Sequence, residues 1–214
     1  MTVTLVVVAK SPRPGRVKTR LTPPCSPADA AAIARAALAD TLDVVGAVPA
    51  AGHRLVLEGP PGPWVPAGFT VVPQRPGDLA ARLTGAIADV GGAVLLVGMD
   101  TPQLRPGTLE HAIDRLSAKG TDAVLGLAAD GGWWGIGLRR AAPTVFEGIP
   151  TSRATTGARQ LQRLHELGLR TELLDELRDV DHFDDALEVA AGIPGSRFAA
   201  AVDVVATHVA TRSA

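Results

Sequence analysis

The chain has 214 residues, of which 46% are hydrophobic and 20% are charged, and its formal net charge is −1. A chain of this length and balance can bury a hydrophobic core and is not disordered. Its near-neutral charge gives no overall electrostatic basis for binding nucleic acid or an anionic membrane. Its one cysteine, Cys25, excludes an internal disulfide, and no cysteine–histidine spacing typical of a zinc site is present.

Strand and helix patterns alternate along the chain. Residues 2–9 form a continuous apolar run rich in β-branched residues, which is typical of a strand buried on both faces. Ser26 is a suitable N-cap for a helix with Pro27 at its first position. The predicted strands cover residues 2–9, 53–58, 69–72, 93–98, 123–127, 133–138 and 169–173. The predicted helices cover residues 27–45, 77–89, 108–117, 154–167, 183–191 and 196–211.

This alternation predicts βαβ units and a mostly parallel central sheet. We therefore expect a single three-layer α/β/α domain over residues 1–214, in which residues 193–214 form a C-terminal helical extension. The last helix could pack on the core or on a second subunit of a homodimer, through Phe198, Val202 and Val205. Residues 5–9 are too short a run for a signal-peptide core or a membrane span, so we expect a cytoplasmic protein.

A basic loop follows the first strand. Residues 9–21 read AKSPRPGRVKTRL and hold five cations, namely Lys10, Arg13, Arg16, Lys18 and Arg20. Arginine forks and lysine charges suit a polyphosphate, whereas the simpler alternative is a solvated loop. Its position at the carboxyl end of a buried strand favours phosphate binding. The loop matches neither the P-loop pattern nor the dinucleotide-binding glycine pattern, which disfavours both of those classes.

Acidic residues follow two other predicted strands. Asp100 comes directly after the apolar run 93–98, where it could ligate Mg²⁺ or Mn²⁺ or instead cap the next helix. Asp179 and Asp181 alternate on an extended segment, so both side chains should point to the same side. One of them could give a metal its second carboxylate.

A tight turn at Asp130, Gly131 and Gly132 precedes two adjacent tryptophans. The glycines allow the backbone to approach a ligand closely. By strand alternation, one of Trp133 and Trp134 should lie in the core while the other could stack on a base or a sugar.

These segments together resemble a known family. AKSPRPGRVKTRL, VGMDTPQL, DGGWWGIGL, VFEGIP and DVDHFDDAL occur in the order seen in bacterial GT-A-like glycosyltransferase relatives of the arsenosugar-biosynthesis type. That family belongs to the nucleotide-diphospho-sugar transferase superfamily, as do the molybdenum-cofactor and 2-phospholactate guanylyltransferases. The resemblance covers roughly residues 3–190 and implies a GT-A fold.

The resemblance also implies roles for individual residues. Ala9, Lys10, Arg16, Lys18 and Arg20 match the nucleotide-phosphate loop, and the catalytic set would be Asp100, Lys18 and Arg20. Asp100 and Asp181 match metal-binding acids for Mg²⁺ or Mn²⁺. The acceptor or sugar side would consist of Asp130, Gly131, Gly132 and Trp133.

Three functional interpretations remain open. The first is a metal-dependent glycosyltransferase that takes a nucleoside-diphosphate sugar and a small-molecule acceptor. The second is a nucleotidylyltransferase that couples a nucleoside triphosphate to a phosphorylated small molecule and releases pyrophosphate. The third is a non-catalytic nucleotide-binding protein, because Gln103 stands where the family commonly has an acid.

Overall fold

A seven-stranded sheet forms the centre of the protein in the computed structural model, which describes residues 1–151 and 153–213. The strands are β1 (Val3–Lys10), β2 (Gly52–Glu58), β3 (Phe69–Pro73), β4 (Ala93–Val97), β5 (Ala123–Ala128), β6 (Trp133–Leu138) and β7 (Thr171–Leu177). The helices are α1 (Pro27–Ala47), α2 (Leu79–Ala88), α3 (Pro106–Ser117), α4 (Thr156–Glu166), α5 (Phe183–Gly192) and α6 (Arg197–Ser213). Each predicted strand and helix is present, with its ends unchanged or shifted by a few residues. Residue 214, the last of the predicted extension, lies outside the described residues.

The sheet has the order β3-β2-β1-β4-β6-β5-β7. β6 runs antiparallel to β4 and β5, and the other neighbouring pairs are parallel. The chain leaves β1 toward β2 and β3 on one side and returns to β4 on the other. The carboxyl ends of β1 and β4 therefore form a topological switch point, where open α/β sheets bind their ligands.

Strand alternation divides the core between the two faces of the sheet. Leu5 and Val7 of β1 face a buried cluster that includes residues of α1 and α3. Val6 faces the opposite cluster, which includes residues of α2 and α4. Because both faces are covered, an uninterrupted apolar run is the stable sequence for β1.

The C-terminal helix α6 packs on α1 of the same chain. Its side chains Phe198, Val202 and Val205 are buried in a third cluster together with Ile33 and Ala37. At the start of α6, the Nη1 of Arg197 lies 2.7 Å from the Oδ2 of Asp43. No described helix combines the length and the apolar character that crossing a membrane requires.

At its carboxyl end the predicted helix 154–167 extends one residue too far, because α4 ends at Glu166. Leu167 is 36% exposed. Gly168 takes a left-handed conformation with φ of 71°, and the N–H of Leu169 donates back to the carbonyl of Leu164. This glycine-terminated end turns Leu167 away from the core.

Candidate active site

A cleft of about 450 Å³ opens at the carboxyl ends of β1 and β4. It is lined by eleven of the residues singled out in the sequence, namely Ala9, Lys10, Arg16, Lys18, Arg20, Asp100, Asp130, Gly132, Trp133, Asp179 and Asp181. Gly131 belongs to the same turn but does not line the cleft. The topology thus gathers into one place four segments that are up to 170 residues apart.

Two apolar anchors fix the basic loop. Val17 is buried against the cluster under α1, and Leu21 is buried against the α1–α6 cluster. Between them, Lys18 has a left-handed backbone with φ of 47°, and a 3₁₀ turn covers Thr19–Leu21. A lysine in the left-handed region has a strained backbone, and such strained residues are concentrated at functional sites. The anchors place the intervening cations toward the cleft.

Lys18 joins three cleft segments. Its side chain is only 8% exposed, and its Nζ lies 2.6 Å from the Oδ1 of Asp100. The same Nζ donates to the carbonyl oxygen of Val180. The N–H of Val180 in turn donates to the carbonyl of Asp100 at 3.0 Å. Lys18 therefore ties the end of β4 to the segment that follows β7.

Gln103 strengthens the same connection. Its Nε2 donates to the carbonyl oxygen of Arg178. An acidic side chain could not donate this bond at neutral pH, because a carboxylate is only an acceptor. The residue that departs from the family pattern thus has a structural role between these two segments.

The remaining cations of the loop differ in their partners. Arg20 forms an ion pair with Asp181 through its Nη1. Lys10 lies 3.4 Å from Glu58, and both side chains are about half exposed. Among the described residues, no ion pair involves Arg16, although Arg16 lines the cleft. The backbone carbonyl of Ala9 is occupied, since it accepts from the Nε2 of Gln74 at 2.8 Å.

Three carboxylates form a compact group. Asp130, Asp179 and Asp181 each offer an oxygen atom, and these atoms lie within 4.8 Å of one another. Burial, together with the charges of Asp130 and Asp181, raises the pKa of Asp179 to about 6. A raised carboxyl pKa shows that this negative charge is poorly compensated by the protein alone. Asp100 is not a member of this group.

The turn before β6 holds Asp130 in place. Its Oδ1 accepts the N–H of Gly132 at 2.6 Å. Gly131 has φ of 85°, and a Cβ atom there would collide with the backbone carbonyl of Ala154 at the approach to α4. Glycine is therefore required at this position both for its conformation and for the close approach of α4.

The two tryptophans separate as strand alternation predicts. Trp134 is buried, and its Nε1 donates to the carbonyl of Asp175 at 3.0 Å. Trp133 is half-buried and lines the cleft, where its ring is stacked on buried Phe146 with centroids 6.2 Å apart. Phe146 thus supports Trp133 as a fixed flat surface beside Asp130.

Sequence reasoning missed several polar residues that line the cleft, among them Gln74, Arg82 and Arg153. Gln74 directly follows β3, which is parallel to β2 and so ends at the same edge of the sheet as β1. Applying the strand-end rule to β3 would have found Gln74. Arg82 lies on α2, and nothing in the sequence around Arg153 marks it as a cleft residue.

Solved structures share this fold. A protein from Desulfovibrio desulfuricans G20, described as a "putative nucleotide-diphospho-sugar transferase", superposes with a TM-score of 0.85 at 23% identity, over 99% of this chain and 98% of that one. CMP:2-keto-3-deoxy-manno-octonic acid synthetase complexed with CTP has a TM-score of 0.59 at 13% identity, over 89% and 98%. Rv0371c from Mycobacterium tuberculosis H37Rv, in complex with manganese, has a TM-score of 0.51 at 24% identity, over 90% and 100%.

The fold is therefore that of the nucleotide-diphospho-sugar transferases. A family model described as "Uncharacterized protein conserved in bacteria (DUF2064)" matches residues 32–153, more than half of the chain, and the protein belongs to this family. No curated protein matches the sequence.

Proposed function

We propose that the protein is a metal-dependent transferase that acts on an activated nucleotide, with a nucleoside-diphosphate sugar as its donor. The observation that carries the proposal is the pairing of opposite charges in one cleft. Three clustered carboxylates face a loop that supplies Lys10, Arg16 and Arg20. A diphosphate with a bound divalent cation needs both kinds of charge when it is withdrawn from water.

The acidic group suits Mg²⁺ or Mn²⁺. Both ions prefer oxygen ligands, and Asp130, Asp179 and Asp181 bring theirs within 4.8 Å of one another. The raised pKa of Asp179 and the ion pair of Asp181 with Arg20 both indicate a place that attracts positive charge. These three residues would hold the cation, which would supply positive charge to offset that of the departing diphosphate.

The chain's own residues do the remaining work by positioning and electrostatics. Arg16 and Arg20 would bind phosphate oxygens with their planar forks. Lys18, held by Asp100 and the Val180 carbonyl, keeps the two acidic segments together. In this arrangement Asp100 contributes through Lys18.

The acceptor or sugar would lie beside the turn of Asp130, Gly131 and Gly132. Trp133, supported by Phe146, offers a flat apolar face there. Sugars place their C–H surfaces on such faces while their hydroxyl groups reach nearby carboxylates and backbone groups. The acceptor is expected to be a small molecule.

A second candidate is nucleotidyl transfer. Here a phosphorylated acceptor would attack the α-phosphate of a nucleoside triphosphate, and pyrophosphate would leave. The basic loop at the end of the first strand supports it, because Lys10, Arg16 and Arg20 line the cleft and could hold three phosphates as well as two. The CTP complex of a protein with the same fold supports it too.

The test is a thermal-shift panel with Mn²⁺ or Mg²⁺ and a series of nucleotide sugars, diphosphates and triphosphates. A ligand at about 100 times its Kd adds about 2.7 kcal/mol of stability, which moves the Tm of a chain of this size by several degrees. Metal-dependent stabilisation by a nucleotide sugar is the expected result. Stabilisation by triphosphates alone would select nucleotidyl transfer, and no stabilisation by any nucleotide would contradict both candidates.

Two variants of the basic loop give a matched control for the panel. Arg16 lines the cleft, whereas Arg13 is exposed and does not. Arg16→Gln should reduce the nucleotide-induced shift, and Arg13→Gln, with the same change of charge, should preserve it. Equal effects of the two variants would mean that the loop acts only as a solvated basic segment.

A further inference from the structure

Two ion pairs connect the basic loop to the acidic residues of the cleft, and they differ in exposure. Lys18, paired with Asp100, is 8% exposed and has a second partner in the Val180 carbonyl. Arg20, paired with Asp181, is 53% exposed, and Asp181 is its only partner among the described residues. Exposed pairs contribute little to stability, whereas an ammonium withdrawn from water needs its partners. Arg20 can therefore change partners easily and Lys18 cannot.

Arg20 binds a carboxylate that a metal ion at the acidic group would need as a ligand. The carboxylate that it binds belongs to the compact acidic group of Asp130, Asp179 and Asp181. A guanidinium on the Oδ2 of Asp181 and a divalent cation at the same group would compete for that carboxylate. A cation that arrives alone competes with Arg20 for Asp181, and Arg20 has no second side-chain partner among the described residues.

A diphosphate changes this balance. Its oxygens match the donor fork of arginine, so Arg20 has a new partner as soon as it leaves Asp181. Arg20 lines the same cleft and is carried on a loop fixed by Val17 and Leu21, so the exchange needs only a movement of its side chain.

We propose that Arg20 is the internal counter-ion of the acidic group and passes from Asp181 to a substrate phosphate when a divalent cation binds. The site then takes the cation together with a diphosphate and discriminates against the free cation. This inference rests on the proposed function, since it assumes a substrate with a diphosphate. No covalent bond is made or broken in the exchange. Linkage requires that each of the two ligands raise the affinity for the other by the same factor.

The experiment measures Mn²⁺ binding by calorimetry, with and without inorganic pyrophosphate as a diphosphate that carries no base. The proteins are the wild type, Arg20→Gln and Arg16→Gln. The last removes the same charge from the same loop without breaking any ion pair between described residues. Arg20→Lys is added, because it keeps the charge and loses the fork. All concentrations are expressed as free Mn²⁺, because pyrophosphate binds the ion in solution.

We expect Arg20→Gln to bind Mn²⁺ alone about two- to fivefold more tightly than the wild type, which corresponds to the strength of an exposed ion pair. Arg16→Gln should change this affinity by less than about twofold. Pyrophosphate should raise the Mn²⁺ affinity of the wild type by about tenfold or more. The increase should be several-fold smaller in Arg20→Gln and intermediate in Arg20→Lys.

Equal Mn²⁺ affinities in Arg20→Gln and Arg16→Gln would overturn the inference, even if nucleotides bind as the proposed function requires. An absence of Mn²⁺ binding in all four proteins would overturn it as well. Conversely, Arg20→Gln could bind Mn²⁺ more tightly while no nucleotide stabilises the protein. That result would support the role of Arg20 as counter-ion and contradict the proposed function.

Discussion

The four carboxylates of the cleft fall into two groups that differ in how their charge is balanced. Asp100 faces the ammonium of Lys18 at 2.6 Å, inside a connection that also includes the Val180 backbone. Asp130, Asp179 and Asp181 face one another, with Arg20 on Asp181 as the cation paired with them among the described residues. The aspartate Asp100 thus stabilises the loops, whereas at Asp130, Asp179 and Asp181 negative charge accumulates without full compensation. Uncompensated charge is the better sign of a binding site.

The largest expected effect is on kcat/KM, and it distinguishes Asp130, a member of the acidic group, from Asp100. Asp130→Asn should lower kcat/KM by about 10²- to 10³-fold, because it removes one of the three carboxylates that would hold the cation. The asparagine Oδ1 can still accept the N–H of Gly132, so the turn should persist. Asp100→Asn should lower kcat/KM only by about tenfold, because Asp100 acts through Lys18.

The measurement uses whichever donor the thermal-shift panel identifies, and circular dichroism checks that both variants are folded. A greater loss in Asp100→Asn than in Asp130→Asn would reverse the comparison. It would support the sequence-based prediction that Asp100 and Asp181 hold the metal.

The second expected effect concerns stability. Lys18→Met should lower the free energy of unfolding by about 2 kcal/mol, since the Val180 carbonyl loses a donor and Asp100 loses its counter-ion. The cost should stay below that of a fully buried pair, because Asp100 is 48% exposed and can be rehydrated.

Lys10→Met is the matched control. Lys10 and Glu58 are both about half exposed at 3.4 Å, so this variant should cost about 0.5 kcal/mol or less. Urea denaturation at neutral pH measures both variants. Similar losses in the two would show that the ammonium of Lys18 contributes no more than a surface charge.

Local sequence predicted much of the fold because the dominant signals were local. The apolar run of β1 indicated a strand covered on both faces, and Ser26 accepts the N–H of Asp29 as an N-cap should. Alternation separated Trp133 from Trp134 correctly. The place of β6 between β4 and β5 could not be read in this way, since strand order depends on contacts between distant segments.

The candidate site was predictable in its location but not in its pairings. The rule that ligands bind at the carboxyl ends of parallel strands placed Lys18, Arg20 and Asp100 at one edge. Which carboxylate meets which cation depends on distances of a few ångströms between segments far apart in the chain. Asp130, expected on the acceptor or sugar side, thus stands with Asp179 and Asp181.

The smallest expected effect is an increase in stability, whereas Lys18→Met and Lys10→Met are expected to lower it. Burial and the charges of Asp130 and Asp181 raise the pKa of Asp179 to about 6, whereas an unfolded aspartate titrates near 4. Its contribution to stability is therefore complete below about pH 4 and is lost as the pH rises through about 6. Asp179→Asn should raise the Tm of the metal-free protein at pH 7.5 by about 2–4 °C, since the half-exposed group is partly screened by water.

The same substitution should abolish the stabilisation by Mn²⁺, so that the wild type is the more stable protein at saturating Mn²⁺ and the less stable one without it. Asp184→Asn is the control, because Asp184 is an exposed acid in the first turn of α5 and its removal should lower the Tm slightly. Calorimetric scans with and without Mn²⁺ measure both. If Asp179→Asn lowered the Tm of the metal-free protein, the three carboxylates would not be repelling one another. Their negative charge would then be balanced by the protein, as that of Asp100 is by Lys18.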